Sequence, residues 1–80
     1  MITLDEAKNI AESAHESFKT KYDSWFETEK AYIFSVSDYE GYGGFLMPFY
    51  ITKKDGKVHF DYSQAMMMGT LGEDIAEGKL

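Results

Sequence analysis

The sequence predicts a small α+β domain: an N-terminal amphipathic helix packed on a three-stranded antiparallel β-meander, followed by a short irregular or helical C-terminal segment. Three observations point there. Apolar residues recur at helical spacing from Leu4 to Phe18, β-formers run from Ala31 to Ser37, and Phe45 to Tyr62 reads as one hairpin folded about Asp55-Gly56. With 80 residues the chain makes one domain, and a domain of that size buries only about 60% of the surface it exposes unfolded. Its core must therefore be rich in large side chains, and six Phe, six Tyr and one Trp supply them.

The helix is predicted over residues 3–22. Thr3 as N-cap with Glu6 three residues on forms a capping box, and Ile2 can staple against Ala7. Leu4, Ala7, Ile10, Ala11, Ala14 and Phe18 make one apolar stripe, slim enough through its alanines to lie close on a sheet. Tyr32, Phe34 and Val36 then alternate against Ile33 and Ser35 in a first strand over 31–37. Trp25-Phe26 either begin a strand of their own or plug the space beneath the helix end. Asp38 to Gly44 is a loop by its glycines.

Strands over 45–54 and 57–62 follow, joined at Asp55-Gly56. A two-residue Asp-Gly loop favours the type I′ turn, which sets Lys54 against Lys57 and puts Lys53/Val58, Ile51/Phe60 and Phe49/Tyr62 on a core face. Thr52/His59 and Tyr50/Asp61 fall on the other face, which is polar enough for water. Lys53, Lys54 and Lys57 crowd an exposed tip and read as solubilising charge. Ser63 can cap a short helix through Met68 that Gly69 interrupts, and residues 72–80 read as a polar tail free to fray.

Composition excludes several functions. Eight lysines and no arginine against fourteen acids give a net charge of −6, which argues against nucleic acid or an anionic membrane as a direct partner. The absence of cysteine excludes disulfides and thiolate metal sites and fits a reducing cytoplasm. No apolar run approaches the roughly 20 residues a membrane span needs, and Met1 to Glu6 lacks a cationic leader start, so the chain reads as cytoplasmic.

No motif has catalytic or metal-binding spacing, and neither an enzyme nor a cofactor is expected. Glu12, His15 and Glu16 share a helical turn, but the i, i+3 Glu/His pair of di-metal bundles needs further carboxylates from other helices. His59, Asp61 and Ser63 share a strand face merely because side chains alternate, at about 7 Å per step. The glycine loop bearing Tyr39 and Tyr42 is a better candidate, since tyrosines on an adaptable backbone suit recognition. Asp38 and Glu40 lie beside them, and Glu27 and Glu29 precede the first strand. Asp38, Tyr39, Glu40, Tyr42, Glu27 and Glu29 are thus the expected partner-binding residues, suited to a basic protein surface. Met66-Met67-Met68 reads mainly as core filling, with at least one side chain exposed.

A helix opening Ile2-Thr3-Leu4-Asp5-Glu6-Ala7, the aromatic strand Ala31-Tyr32-Ile33-Phe34, a glycine loop, and Pro48 leading to Ile51-Thr52-Lys53-Lys54-Asp55-Gly56-Lys57-Val58 together resemble the YrhB-type immunity domains of bacterial polymorphic toxin systems. The resemblance implies a protein that neutralises a cognate toxin by binding it, with no catalytic site. The leading expectation is therefore a small acidic inhibitor of a basic toxin or nuclease. The alternatives are a mobile-element-encoded mimic of nucleic-acid charge that blocks a defence complex, and a small-ligand or structural homodimer domain.

Overall fold

The computed structural model describes residues 1–14, 22–35 and 48–80. Its elements are α1 (Leu4–Ala14), β1 (Ser24–Thr28), β2 (Ala31–Ser35), β3 (Phe49–Thr52), β4 (Val58–His59), α2 (Tyr62–Met68) and β5 (Asp74–Lys79). The strands form one sheet in the order β4-β3-β2-β1-β5, with every neighbouring pair antiparallel. The α+β class stands, with a five-stranded sheet in place of the three-stranded meander.

Alternation along β2 explains why both faces of the sheet are covered. Tyr32 and Phe34 point to one face, where Phe49, Ile51 and the α1 alanines Ala7 and Ala11 join them, with Trp25 and Val58 at the margin. Ala31 and Ile33 point to the other, where Tyr50 packs with Ala65 of α2 and with Leu71, flanked by Phe26 and Tyr62. Phe34, Phe49, Ile33 and Ile51 are fully buried, each contributing roughly 1.5–3 kcal/mol of transfer free energy. The face expected to be solvated is half of the core.

The capping box forms as expected: Glu6 N–H donates to Thr3 Oγ1 and Thr3 N–H to Glu6 Oε1, both at 3.3 Å. The helix does not extend to residue 22, because Tyr22 lies outside it, buried with its ring edge-on to Phe49 at 5.1 Å. Residues 15–21 and 36–47 lie outside the described residues, and with them Phe18 and the glycine loop. Trp25-Phe26 belong to a strand of their own, β1.

The hairpin register differs from the predicted one by two residues. Tyr50 pairs with His59 and Ile51 with Val58, around a four-residue loop closed by Thr52 N–H donating to Lys57 O at 3.1 Å. A type I′ turn needs positive φ at both Asp55 and Gly56, and only Gly56 has it, at 68°. Asp55 instead accepts from the Thr52 hydroxyl and from Lys57 N–H, a side-chain turn that competes with the two-residue loop. A slip of two conserves the faces, so Phe49, Ile51 and Val58 remain on the core side. It also shortens the second strand to Val58–His59, leaving Phe60 62% exposed and Tyr62 at the start of α2.

The C-terminal residues depart furthest from expectation. Gly69, left-handed at φ 67°, ends α2 with its own N–H on Met66 O and with Thr70 N–H on Ala65 O. Residues 74–79 then form β5 against β1 rather than a frayed tail, anchored at its ends by Glu29 N–H to Glu73 O at 3.1 Å and Leu80 N–H to Asp23 O at 2.9 Å. Gly78 permits this: a Cβ there would sit 2.9 Å from three atoms of the Trp25 indole, which lies across the strand.

Candidate functional site

At the hairpin end of the sheet, backbone bonds stitch four segments together. Lys53 N–H donates to Lys30 O at 2.9 Å, Lys30 N–H to Leu71 O at 3.1 Å, and Ile2 N–H to Lys53 O at 3.0 Å. Lys53 is not part of a solvated tip. Its side chain is buried, with Nζ 2.5 Å from Glu27 Oε2 and 5.1 Å from the Tyr32 ring centroid. Glu27 pairs with Tyr32 and Tyr32 with Ile51 across the strands, so the register brings carboxylate, ring and ammonium together on the α1 face. A buried pair of this kind contributes little net stability but is costly to break. Glu27, expected to face a partner, is thus committed inside the protein.

Glu29 stays exposed but is anchored on one side. Its Oε1 accepts Glu73 N–H at 3.1 Å, and its stem lies against Gly72, whose φ of 82° starts the turn into β5. Asp38, Tyr39, Glu40 and Tyr42 lie outside the described residues, as do His15 and Glu16. Among the described residues no group of three or more His, Asp or Glu side chains is placed to hold a metal ion.

His59, Asp61 and Ser63 do not assemble a triad. Tyr50 separates them: its hydroxyl donates to Asp61 Oδ1 at 2.9 Å while its ring stacks on His59 at 4.9 Å. Ser63 sits in α2. Burial first, then the hydrogen bond and the charge of Asp61, push the Tyr50 phenol above its ordinary pKa. His59 Nε2 is buried without a hydrogen-bond partner among the described residues, an arrangement that costs about 1–3 kcal/mol. The Thr52 hydroxyl and then Lys57 N–H hold the Asp55 carboxyl below the usual carboxylate range.

Two concave surfaces follow from this packing. An open cleft of about 740 Å³ lies between Tyr50, Thr52 and His59 on one side and Lys30 and Leu71 on the other, with Lys54 on its rim. On the same face an open groove of about 500 Å³ separates Phe26, Tyr62 and Met66 from β5 at Asp74–Glu77. Here the chain exposes apolar surface: Ile75 is 58% exposed and Met66 48%, with Met67 and Met68 further out. Core filling at the three methionines is therefore replaced by Ala65 and Leu71, which are buried. Burial, then the charge of Asp74, raises the Tyr62 phenol, so the groove is acidic as well as apolar. Glu73, Asp74 and Glu77 have no ion-pair partner among the described residues.

The groove was not foreseen, since its acids fall in the segment read as a tail. An edge strand is held through its backbone, so its side chains carry little of the hydrophobic alternation that marks a buried one. These features define a small α+β domain, with a half-apolar acidic groove beside an edge strand. No helix among the described residues is long and apolar enough to cross a membrane. No protein-family model matches the chain, and no curated protein or solved structure does either.

Proposed function

We propose that this protein acts by stoichiometric binding of a basic protein partner, as an immunity or inhibitor factor that neutralises a toxin or nuclease. One observation carries the reading: Met66 and Ile75 stand exposed around a groove whose lining carboxylates, Asp74 and Glu77, are not neutralised within the described residues. A contiguous apolar patch rimmed by charge of one sign is the composition of an interaction site rather than of ordinary solvated surface. The acids would steer encounter and set register, and the thioether and aliphatic side chains would supply desolvated contact. Asp38, Tyr39, Glu40 and Tyr42 extend the same acidic, aromatic composition to a second segment.

The test is affinity capture of the tagged protein from its native cell lysate at low and high salt, repeated with Asp74→Lys/Glu77→Lys and with Asp38→Lys/Glu40→Lys/Tyr42→Ala. The expected result is one basic partner in stoichiometric amount, weakened by salt and by either set of changes, with thermal stability nearly unmoved. Recovery of the protein alone at both salt levels overturns the reading.

A further inference from the structure

We propose that the cleft at the hairpin end of the sheet is a binding site for a small amphipathic anion, an apolar or aromatic body carrying a carboxylate. The proposal is independent of the protein-binding groove. It rests on three features of the cleft.

The first is charge. On a chain of net −6, the cleft carries two lysines, Lys30 and Lys54, both exposed and neither with an ion-pair partner among the described residues. Glu27 is paired with Lys53, and Asp55 lines the cleft as a carboxylate held by the Thr52 hydroxyl and Lys57 N–H, so the unpaired side-chain charges there are two ammoniums against one carboxylate. An anion entering here meets a net positive charge, whereas the acidic groove by β5 would repel it.

The second is the wall. Leu71, Tyr50, Thr52 and His59 line the cleft, with the Tyr50 and His59 rings stacked on each other at 4.9 Å. A largely apolar concavity with a few polar groups at its mouth is the usual form of a small-molecule site, and its volume of about 740 Å³ suits a compact organic acid. His59 adds a polar atom, Nε2, with no partner among the described residues, and a small turn of the imidazole would offer it to a carboxylate or hydroxyl in the cleft.

The third is preorganisation. The segments that form the cleft are joined by the Lys53–Lys30 and Lys30–Leu71 backbone bonds, and Gly56 N–H donates to Thr52 O at 2.8 Å. A site so held requires little ordering when a ligand arrives.

The experiment is a titration of the full ¹⁵N-labelled chain, followed by amide chemical shifts, with 4-methylbenzoate and with the neutral 4-methylbenzyl alcohol. The expected result is saturable shifts at Thr52, Lys54, His59 and Leu71 with the acid, and binding of the alcohol weaker by about tenfold. That ratio corresponds to two partly exposed charge contacts. Lys30→Gln/Lys54→Gln should weaken the acid three- to tenfold, as roughly expected for those contacts, leaving the alcohol and the melting temperature unchanged. Absence of saturable shifts, equal binding of acid and alcohol, or shifts centred on α2 and β5 overturns the proposal.

Discussion

Replacing Gly78 by alanine tests the packing of the strand that the sequence concealed. In the interior of a strand this change ordinarily stabilises, because alanine loses less backbone entropy on folding, by about 0.5–1 kcal/mol. Here the new Cβ would lie 2.9 Å from Cε2, Cζ2 and Nε1 of Trp25, all on a rigid indole rather than at the end of a flexible chain. Ordinary contact requires roughly 3.5–4 Å, so either the indole moves or β5 separates from β1. Overpacking of this kind costs about 1–3 kcal/mol, and against the entropic gain a net loss of about 1–2 kcal/mol remains. That is a large share of the roughly 4–12 kcal/mol expected for a domain this size, and it lowers Tm by about 4–8 °C per kcal/mol. Trp25 is the only tryptophan, so urea unfolding followed by its fluorescence reports both stability and any displacement of the ring. In a Trp25→Leu background, read by circular dichroism, the same Gly78→Ala change should become neutral or stabilising. Stabilisation by Gly78→Ala beside an intact Trp25 would refute the reasoning.

Glu27→Gln leaves the Lys53 ammonium nearly buried beside the Tyr32 ring, so we expect a loss of about 2–4 kcal/mol in urea unfolding. The double change Glu27→Leu/Lys53→Met should fall within about 1 kcal/mol of the parent, and singles that merely add would show the pair to be solvent-like. Tyr50, Tyr62 and Tyr22 all have phenols raised by burial, Tyr50 further by Asp61 and Tyr62 by Asp74. The unfolded chain therefore releases these protons first, so stability holds up to about pH 10 and falls above it. Tyr50→Phe should lower stability at pH 7 by about 1 kcal/mol while reducing that alkaline fall, and an unchanged alkaline slope would contradict the assignment.

What was legible in the sequence was what side chains encode locally. The capping box at Thr3 and Glu6, the small-residue stripe of Ala7 and Ala11, and the alternation of Tyr32 and Phe34 against Ile33 each depend on periodicity over a few residues. The hairpin was legible in its faces and not in its register. Parity is set by burial of Phe49 and Ile51, whereas register depends on whether Asp55 adopts positive φ or uses its carboxyl on Thr52 and Lys57, a balance of a few tenths of a kcal/mol to about 1 kcal/mol. The edge strand β5 was illegible because its pairing with β1 lies in the backbone, and Asp-Ile-Ala-Glu-Gly-Lys has no β-forming pattern of its own.

The same distinction decides where binding surfaces lie. Glu27 and Glu29 look like surface acids in a sequence, yet one neutralises a buried lysine and the other holds the turn into β5, so counting acids overstates what a partner can meet. Conversely, Lys53 looks like one of three solubilising charges and is a core group, whereas Lys54, Lys57 and Lys30 stay exposed at that end, Lys54 and Lys30 beside the cleft. Once these internal pairs are removed, the remaining charge on the covered face separates by place. Asp74 and Glu77 line the groove at one edge strand, and Lys30 and Lys54, with Asp55 opposing them, line the cleft at the hairpin end. Net charge therefore describes neither surface. The two proposals assign a basic protein and a small organic acid to different parts of one sheet face, so each set of charge changes should weaken its own ligand without affecting the other.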